Sequence, residues 1–122
     1  MGLYTGIALD NVTINSGKAT FNTLTVKGAA PVTKTANFTV ADTDRYIICN
    51  GTATITVTLP SASSYVGREI TIKTIAAFTV VSASSNVAPA GSATAGTAIL
   101  AASAGAAATL VSDGTNWVVM AT

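Results

Sequence analysis

The chain has 122 residues, of which 9% are charged and 49% hydrophobic, with a formal net charge of +1 and no histidine. The length fits one domain. Without a basic surplus to attract phosphate groups, neither nucleic acid nor a membrane surface is expected as a partner. The lack of histidine excludes a Ser-His-Asp triad, and with a single cysteine it leaves no transition-metal site or cofactor to predict.

So little charge on so hydrophobic a chain poses a solubility problem, because a typical soluble domain has about 25% charged residues. Two interpretations are open. Copies of the protein or a partner cover much of the surface, or threonine and serine make the surface polar without charge. The first interpretation favours a homo-oligomer.

Residues 1–30 contain two short predicted strands, 12–14 and 20–26, and we interpret Ala29-Ala30-Pro31 as a joint. We therefore predict an N-terminal arm over residues 1–30, serving docking or assembly, and a compact β-domain over residues 31–122. The apolar side chains that an arm of this length cannot bury by itself are the candidates for partner contact: Leu3, Tyr4, Ile7 and Leu9.

Threonine alternates with aliphatic residues along most of the chain. In the segment 53–59, period-two alternation places Ile55, Val57 and Leu59 on one face and threonines on the other. Threonine and isoleucine are both β-branched, and both therefore favour the strand conformation. The strands predicted for the β-domain are 37–40, 45–49, 53–59, 68–75, 78–82, 97–100, 107–112 and 116–120.

Turn residues separate these strands. Asn50-Gly51 and Asp113-Gly114 are strong hairpin signals between apolar runs. No stretch shows a convincing helical period, although one short helical turn near 61–66 is plausible after Pro60. Many short strands at this spacing predict an all-β fold: an antiparallel β-sandwich or a jelly-roll or barrel-like head.

Few residues are candidates for chemistry. Asp42 and Asp44 are two residues apart, so on a strand their side chains would lie on the same face. Such a pair could form a carboxylate dyad or contribute to an ion site. Asp-Thr-Asp between two strands is, however, more typical of a turn. Cys49 lies in an apolar run and is expected to be a buried thiol. Trp117 could stack on a sugar, but in a terminal strand it more often fills the core. We predict that the protein is not an enzyme.

Five segments, taken together, carry a family resemblance: Phe38-Thr39-Val40-Ala41-Asp42, Tyr46-Ile47-Ile48-Cys49-Asn50, Ile55-Thr56-Val57-Thr58-Leu59-Pro60, Val66-Gly67-Arg68-Glu69-Ile70-Thr71-Ile72-Lys73 and Leu110-Val111-Ser112-Asp113-Gly114-Thr115-Asn116-Trp117. This set resembles the small β-domains of tailed-bacteriophage virion proteins, found in tail fibres and in head decoration or cement proteins. Physical roles fit its members: Pro60 ends a strand, Gly67 permits a tight turn, and Asp113-Gly114 forms the hairpin that presents Trp117 to the core.

The resemblance implies a virion structural protein assembled as a homotrimer. Our first expectation is a capsid decoration (cement) protein that binds the major capsid protein or another virion protein and stabilises the head shell. The alternative is a tail-fibre or receptor-binding tip, with loops 61–67 and 84–96 contacting a host surface. No segment has the 18 or so apolar residues of a transmembrane helix, and no signal peptide is evident. We therefore expect synthesis in the host bacterial cytoplasm and a final location in the virion.

Overall fold

The computed structural model describes residues 28–122, and no α-helix occurs among them. The all-β prediction is confirmed. The elements are β1 (Val32–Lys34), β2 (Phe38–Thr39), β3 (Tyr46–Cys49), β4 (Ile55–Thr58), a short 3-10 helix (Ala62–Ser64), β5 (Glu69–Thr74), β6 (Val80–Ser82), β7 (Val87–Ala88), β8 (Ala98–Leu100), β9 (Ala107–Ser112) and β10 (Trp117–Ala121). The helical turn considered after Pro60 is the 3-10 helix.

The strands form two sheets. The first sheet has the order β1-β3-β5-β9-β10-β7, and the second has the order β2-β4-β6-β8. From β1 to β6 the chain alternates between the sheets, so β1–β2, β3–β4 and β5–β6 make three successive coils. Each coil lies beside the previous one with parallel strand pairing in both sheets.

The expectation of an antiparallel fold is therefore wrong for these coils and for β7, which pairs parallel with β10. Antiparallel pairing within residues 28–122 joins β5 to β9, β9 to β10 and β6 to β8, and an isolated antiparallel bridge joins Val87 to Gly96. The physical reason is the path of the chain. Parallel neighbours need a long crossover, and here each crossover passes through the opposite sheet.

One apolar core is shared by both sheets. In the first sheet Ile47 and Ile72 lie side by side, both at most 1% exposed, with Ala108 next to Ile72 on β9. From the second sheet, Ile55 and Val57 reach the same core. The outward positions carry polar residues such as Thr56 and Thr58, as the alternation predicted.

The hairpin expected at Asn50-Gly51 is not formed, because β3 and β4 belong to different sheets. Gly51 is buried, and a Cβ there would lie 3.0 Å from Ile55 Cδ1, so the glycine serves a close approach between the turn and the core. The hairpin expected at Asp113-Gly114 does join β9 to β10. The predicted arm, residues 1–30, falls almost entirely outside the described residues.

Candidate interaction site

Charge is concentrated in one place on the described surface. Five of the eight Asp, Glu, Lys and Arg residues in 28–122 line a single groove of about 410 Å³. We call this set the charged cluster; its members are Asp42, Asp44, Arg45, Arg68 and Glu69. The groove lies between the turn at 41–44, which precedes β3, and the start of β5. Because β3 and β5 are parallel neighbours, these two strand starts lie at the same end of the sheet.

Arg68 is the centre of the cluster, and its side chain is only 14% exposed. Its Nη2 donates hydrogen bonds to the carbonyl oxygens of Ala41 (2.7 Å) and Asp44 (2.9 Å). The guanidinium also lies 4.9 Å from the centre of the Tyr65 ring. A planar, permanently charged donor suits two converging carbonyl groups. Arg68 therefore acts as a clamp that fixes the 41–44 turn to the start of β5.

Asp42 and Asp44 have different partners. Asp44 is 7% exposed. Its Oδ2 accepts a hydrogen bond from the Ala41 backbone N–H at 2.9 Å, and its own N–H donates to the Ala41 carbonyl at 3.0 Å. Such reciprocal bonds define a tight turn closed by its own aspartate. Asp44 therefore closes a turn, as the turn interpretation of Asp42-Thr43-Asp44 predicts.

The Asp42 side chain is 79% exposed. Its Oδ1 accepts a hydrogen bond from the Tyr65 hydroxyl and lies 3.9 Å from Arg68 Nη1. The bond to the carboxylate, followed by burial, raises the pKa of Tyr65 above its usual value, because the phenol must keep its proton to donate. Asp42 thus extends the Arg68 clamp to the segment that follows the 3-10 helix.

The turn residues singled out from the sequence lie at the same end of the domain. Trp117 is fully buried, and its Nε1 donates to the Pro60 carbonyl oxygen at 2.9 Å. Gly67 has a φ of 82° and donates from its N–H to the Ser112 carbonyl oxygen at 2.8 Å. Ser112 Oγ in turn donates to the Ala62 carbonyl oxygen at 2.6 Å. The 60–68 segment is thereby bonded to both sides of the β9–β10 turn.

That turn is itself closed by Asp113. Its Oδ1 accepts hydrogen bonds from the backbone N–H groups of Asn116 (2.7 Å) and Thr115 (2.8 Å), and these bonds hold its pKa below the usual value. Gly114 follows with a φ of 93°, and a Cβ there would meet Val66 at 3.3 Å. We call the three segments 41–44, 60–68 and 112–117 the interlocked loops.

The other chemistry-bearing residues are placed as follows. Cys49 is fully buried, and burial raises the pKa of its thiol to about 11, so the reactive thiolate is scarce at neutral pH. Within residues 28–122, no three His, Cys, Asp or Glu residues come together to hold a metal ion. Nor does this part of the chain contain a helix long and apolar enough to cross a membrane.

The proposed contact residues Leu3, Tyr4, Ile7 and Leu9 lie outside the described residues. Among residues 28–122, the large apolar side chains that are exposed are Tyr46, Val66, Ile75, Phe78 and Met120. Val66, at 69% exposure, projects from the interlocked loops. Sequence reasoning missed Arg68 as a clamp and Tyr65 as its partner, because their bonds join residues more than 20 positions apart.

Comparison of the chain with known protein families, with curated proteins and with solved structures gave no match.

Proposed function

We propose that this chain is a structural protein of a tailed-bacteriophage particle, a capsid decoration (cement) protein that binds the head shell as a homotrimer. The observation that carries the proposal is the use of charge. Arg68, the most buried cation of the charged cluster, donates its hydrogen bonds to the chain's own backbone at Ala41 and Asp44. Arg68 therefore holds loops of the chain in place, as we expect in a protein whose function is structural.

The segments behind the resemblance support the proposal in a second way. Pro60, Gly67, Asp113 and Trp117 belong to the interlocked loops, where side chain and backbone bonds join segments far apart in sequence. Because these residues lie in segments that are hydrogen-bonded to one another in the fold, their joint occurrence is a more specific sign of the resemblance than the same residues scattered over a surface would be. In this proposal the two sheets pack as a sandwich-like head and residues 1–30 are the docking arm.

The shell contact is assigned to Leu3, Tyr4, Ile7 and Leu9. A specific interface buries about 1,000 Å² or more, which an apolar arm repeated in three copies can supply. Copies that cover one another's uncharged surfaces also answer the solubility problem of a 9% charged chain.

A co-sedimentation experiment tests the proposal. The full chain is mixed with phage head shells that lack it, alongside a Leu3→Ser, Ile7→Ser, Leu9→Ser triple variant and a Thr5→Ala control. We expect the wild type and the control to pellet with the shells and the triple variant to stay in solution. Light scattering should give three times the 12.1 kDa chain mass. A stable monomer that does not pellet would contradict the proposal.

One observation favours a tail-fibre tip as the second candidate. The loop between β7 and β8 exposes residues 89–94 to solvent and carries no charge. It falls within one of the two loops assigned to host contact in that alternative. Specific binding of the full chain to host cells, lost on deleting residues 90–94 but kept in the triple variant, would favour the tip over the shell.

A further inference from the structure

The described domain is open at one end. Among residues 28–122, β1 is the outermost strand on its side of the first sheet and β2 the outermost on the corresponding side of the second. The two strands belong to the same coil, joined by the turn 35–37. Both edges of this coil therefore face outward together, and we call them the open end.

The apolar side chains at the open end are incompletely covered. Val32 and Phe38 pack against the core but are only half-buried. Their neighbours by register in the next coil are Ile47, at 1% exposure, and Val57, at 0%. The inward column of side chains thus continues through the coils, and in the part of the chain that the structure describes its first members are less buried than the later ones. Burying them would be favourable at about 25 cal/mol per Å².

Backbone groups at the open end also point outward. The Lys34 carbonyl accepts from Asn50 N–H at 2.8 Å, and Val40 N–H donates to the Thr58 carbonyl at 3.0 Å. Because successive residues of a strand direct their peptide groups to opposite sides, those of Thr33 and Thr39 face away from the sheets. Within residues 28–122 no strand lies beyond them. Outward edge groups of this kind are a template for a further strand, and natural proteins usually cover them.

The preceding part of the chain has the pattern needed to cover both edges. Its predicted strands, 12–14 and 20–26, are separated by five residues. The connections β3–β4 and β5–β6, which cross from the first sheet to the second, are also five residues long. Residues 15–17 read Asn-Ser-Gly, comparable to Asn50-Gly51 in the β3–β4 connection. The alternation Thr23-Leu24-Thr25-Val26 matches that of β4.

The length of the connection from these residues back to β1 also agrees with the connections of the other coils. From residue 26 to β1 at Val32 there are five residues, and the connection from β2 to β3, which crosses in the same direction, has six. We propose that residues 12–26 of this chain cover the open end as one further coil, with 12–14 paired parallel to β1 and 20–26 paired parallel to β2. The docking arm proposed above for residues 1–30 would then be shortened to residues 1–11, which include the four assigned contact residues. This assignment of the open end does not depend on the virion proposal.

Amide hydrogen exchange by NMR on the full chain tests the inference at the Thr33 and Thr39 amides. We expect both to be protected in the wild type at every protein concentration. Proline lacks the N–H that a strand must donate, so Thr23→Pro should lower protection of Thr39 by about tenfold or more. Thr13→Pro should act mainly on Thr33, and the control Thr5→Pro should change neither. Protection at Ile72 reports that the core is still folded.

Each other outcome overturns the inference. Unprotected Thr33 and Thr39 amides in the wild-type chain would mean that nothing covers the open end. Protection that rises with protein concentration, together with a doubled mass, would assign the edge to a second copy. Protection that is independent of concentration yet unchanged by both Thr13→Pro and Thr23→Pro would assign it to another segment. If a proline variant fails to fold, nuclear Overhauser contacts in the wild-type chain, between residues 12–14 and Thr33 and between residues 20–26 and Thr39, make the same distinction: their presence supports the inference and their absence overturns it.

Discussion

Arg68 Nη2 donates a 2.9 Å hydrogen bond to the Asp44 carbonyl oxygen, joining the start of β5 to a turn 24 residues earlier. A second hydrogen bond, 2.7 Å long, runs from Nη2 to the carbonyl oxygen of Ala41 at the other end of the same turn. The Asp44 carboxylate has already closed that turn from within. The best-buried members of the charged cluster, Arg68 and Asp44, are therefore engaged in shaping loops.

Replacing Arg68 should destabilise the domain. In Arg68→Ala, the carbonyl groups of Ala41, Asp42 and Asp44 lose a charged donor, and hydrogen bonds to charged groups contribute about 1.5–3 kcal/mol. We expect the free energy of unfolding in urea to fall by about 2–3 kcal/mol. The matched control is Arg45→Ala, which removes an exposed arginine of the same cluster and should cost less than about 0.5 kcal/mol. Equal losses in the two variants would show that Arg68 is no clamp.

The bond from Trp117 to Pro60 makes a separate prediction. Trp117→Phe keeps an aromatic ring in the core but leaves the Pro60 carbonyl without its 2.9 Å donor. The expected loss of unfolding free energy is about 1–3 kcal/mol, while Trp117→Ala adds a cavity and should cost about 3–5 kcal/mol. Chemical denaturation of both variants measures the difference. If Trp117→Phe were as stable as wild type, the indole bond would contribute nothing.

Acid should weaken the β9–β10 turn through Asp113. Its folded-state pKa lies below the usual value because Asn116 and Thr115 donate backbone hydrogen bonds to the ionised carboxylate. A depressed pKa gives stability that is present above the unfolded-state pKa and is lost as the pH falls through the folded-state pKa. Below about pH 4, the wild type should therefore lose stability more steeply than Asp113→Asn, whose side chain does not titrate. Parallel pH profiles from urea denaturation would contradict this assignment.

The Cys49 thiol should resist modification. Burial raises its pKa from 9.0 to about 11, so at pH 8 the thiolate fraction falls by about a hundredfold relative to an exposed thiol. Alkylation by iodoacetamide, followed by mass spectrometry, should be slower by at least ~100-fold in the native protein than in urea. Equal rates in native and unfolded protein would show that Cys49 is accessible in the folded state.

The sequence revealed which residues form strands better than it revealed which strands are neighbours. Alternation located β4 and β5 within a few residues, since inward Ile55 and Ile72 and outward threonines are a local property. The same alternation is compatible with parallel or antiparallel pairing, so direction could not be read from it. Asn50-Gly51 was misinterpreted as a hairpin because a turn between sheets uses the same residue types.

Two strands were missed for a related reason. β1 has three residues and follows Pro31, and β7 has only Val87 and Ala88, so neither shows enough alternation to be recognised. The candidate site was harder still. Arg68 was visible in the Gly67-Arg68 motif, but its bonds to Ala41 and Asp44 depend on the pairing of β3 with β5, which only the fold supplies.

Electron microscopy of purified particles tests the central claim most directly. Head shells incubated with the full chain would be compared with untreated shells and with shells given the Leu3→Ser, Ile7→Ser, Leu9→Ser variant. The decoration proposal predicts added three-lobed density at repeated positions on the head surface, each lobe the size of a 12.1 kDa domain, and no added density with the variant. Density confined to the tail, or none on any part of the particle, would contradict it.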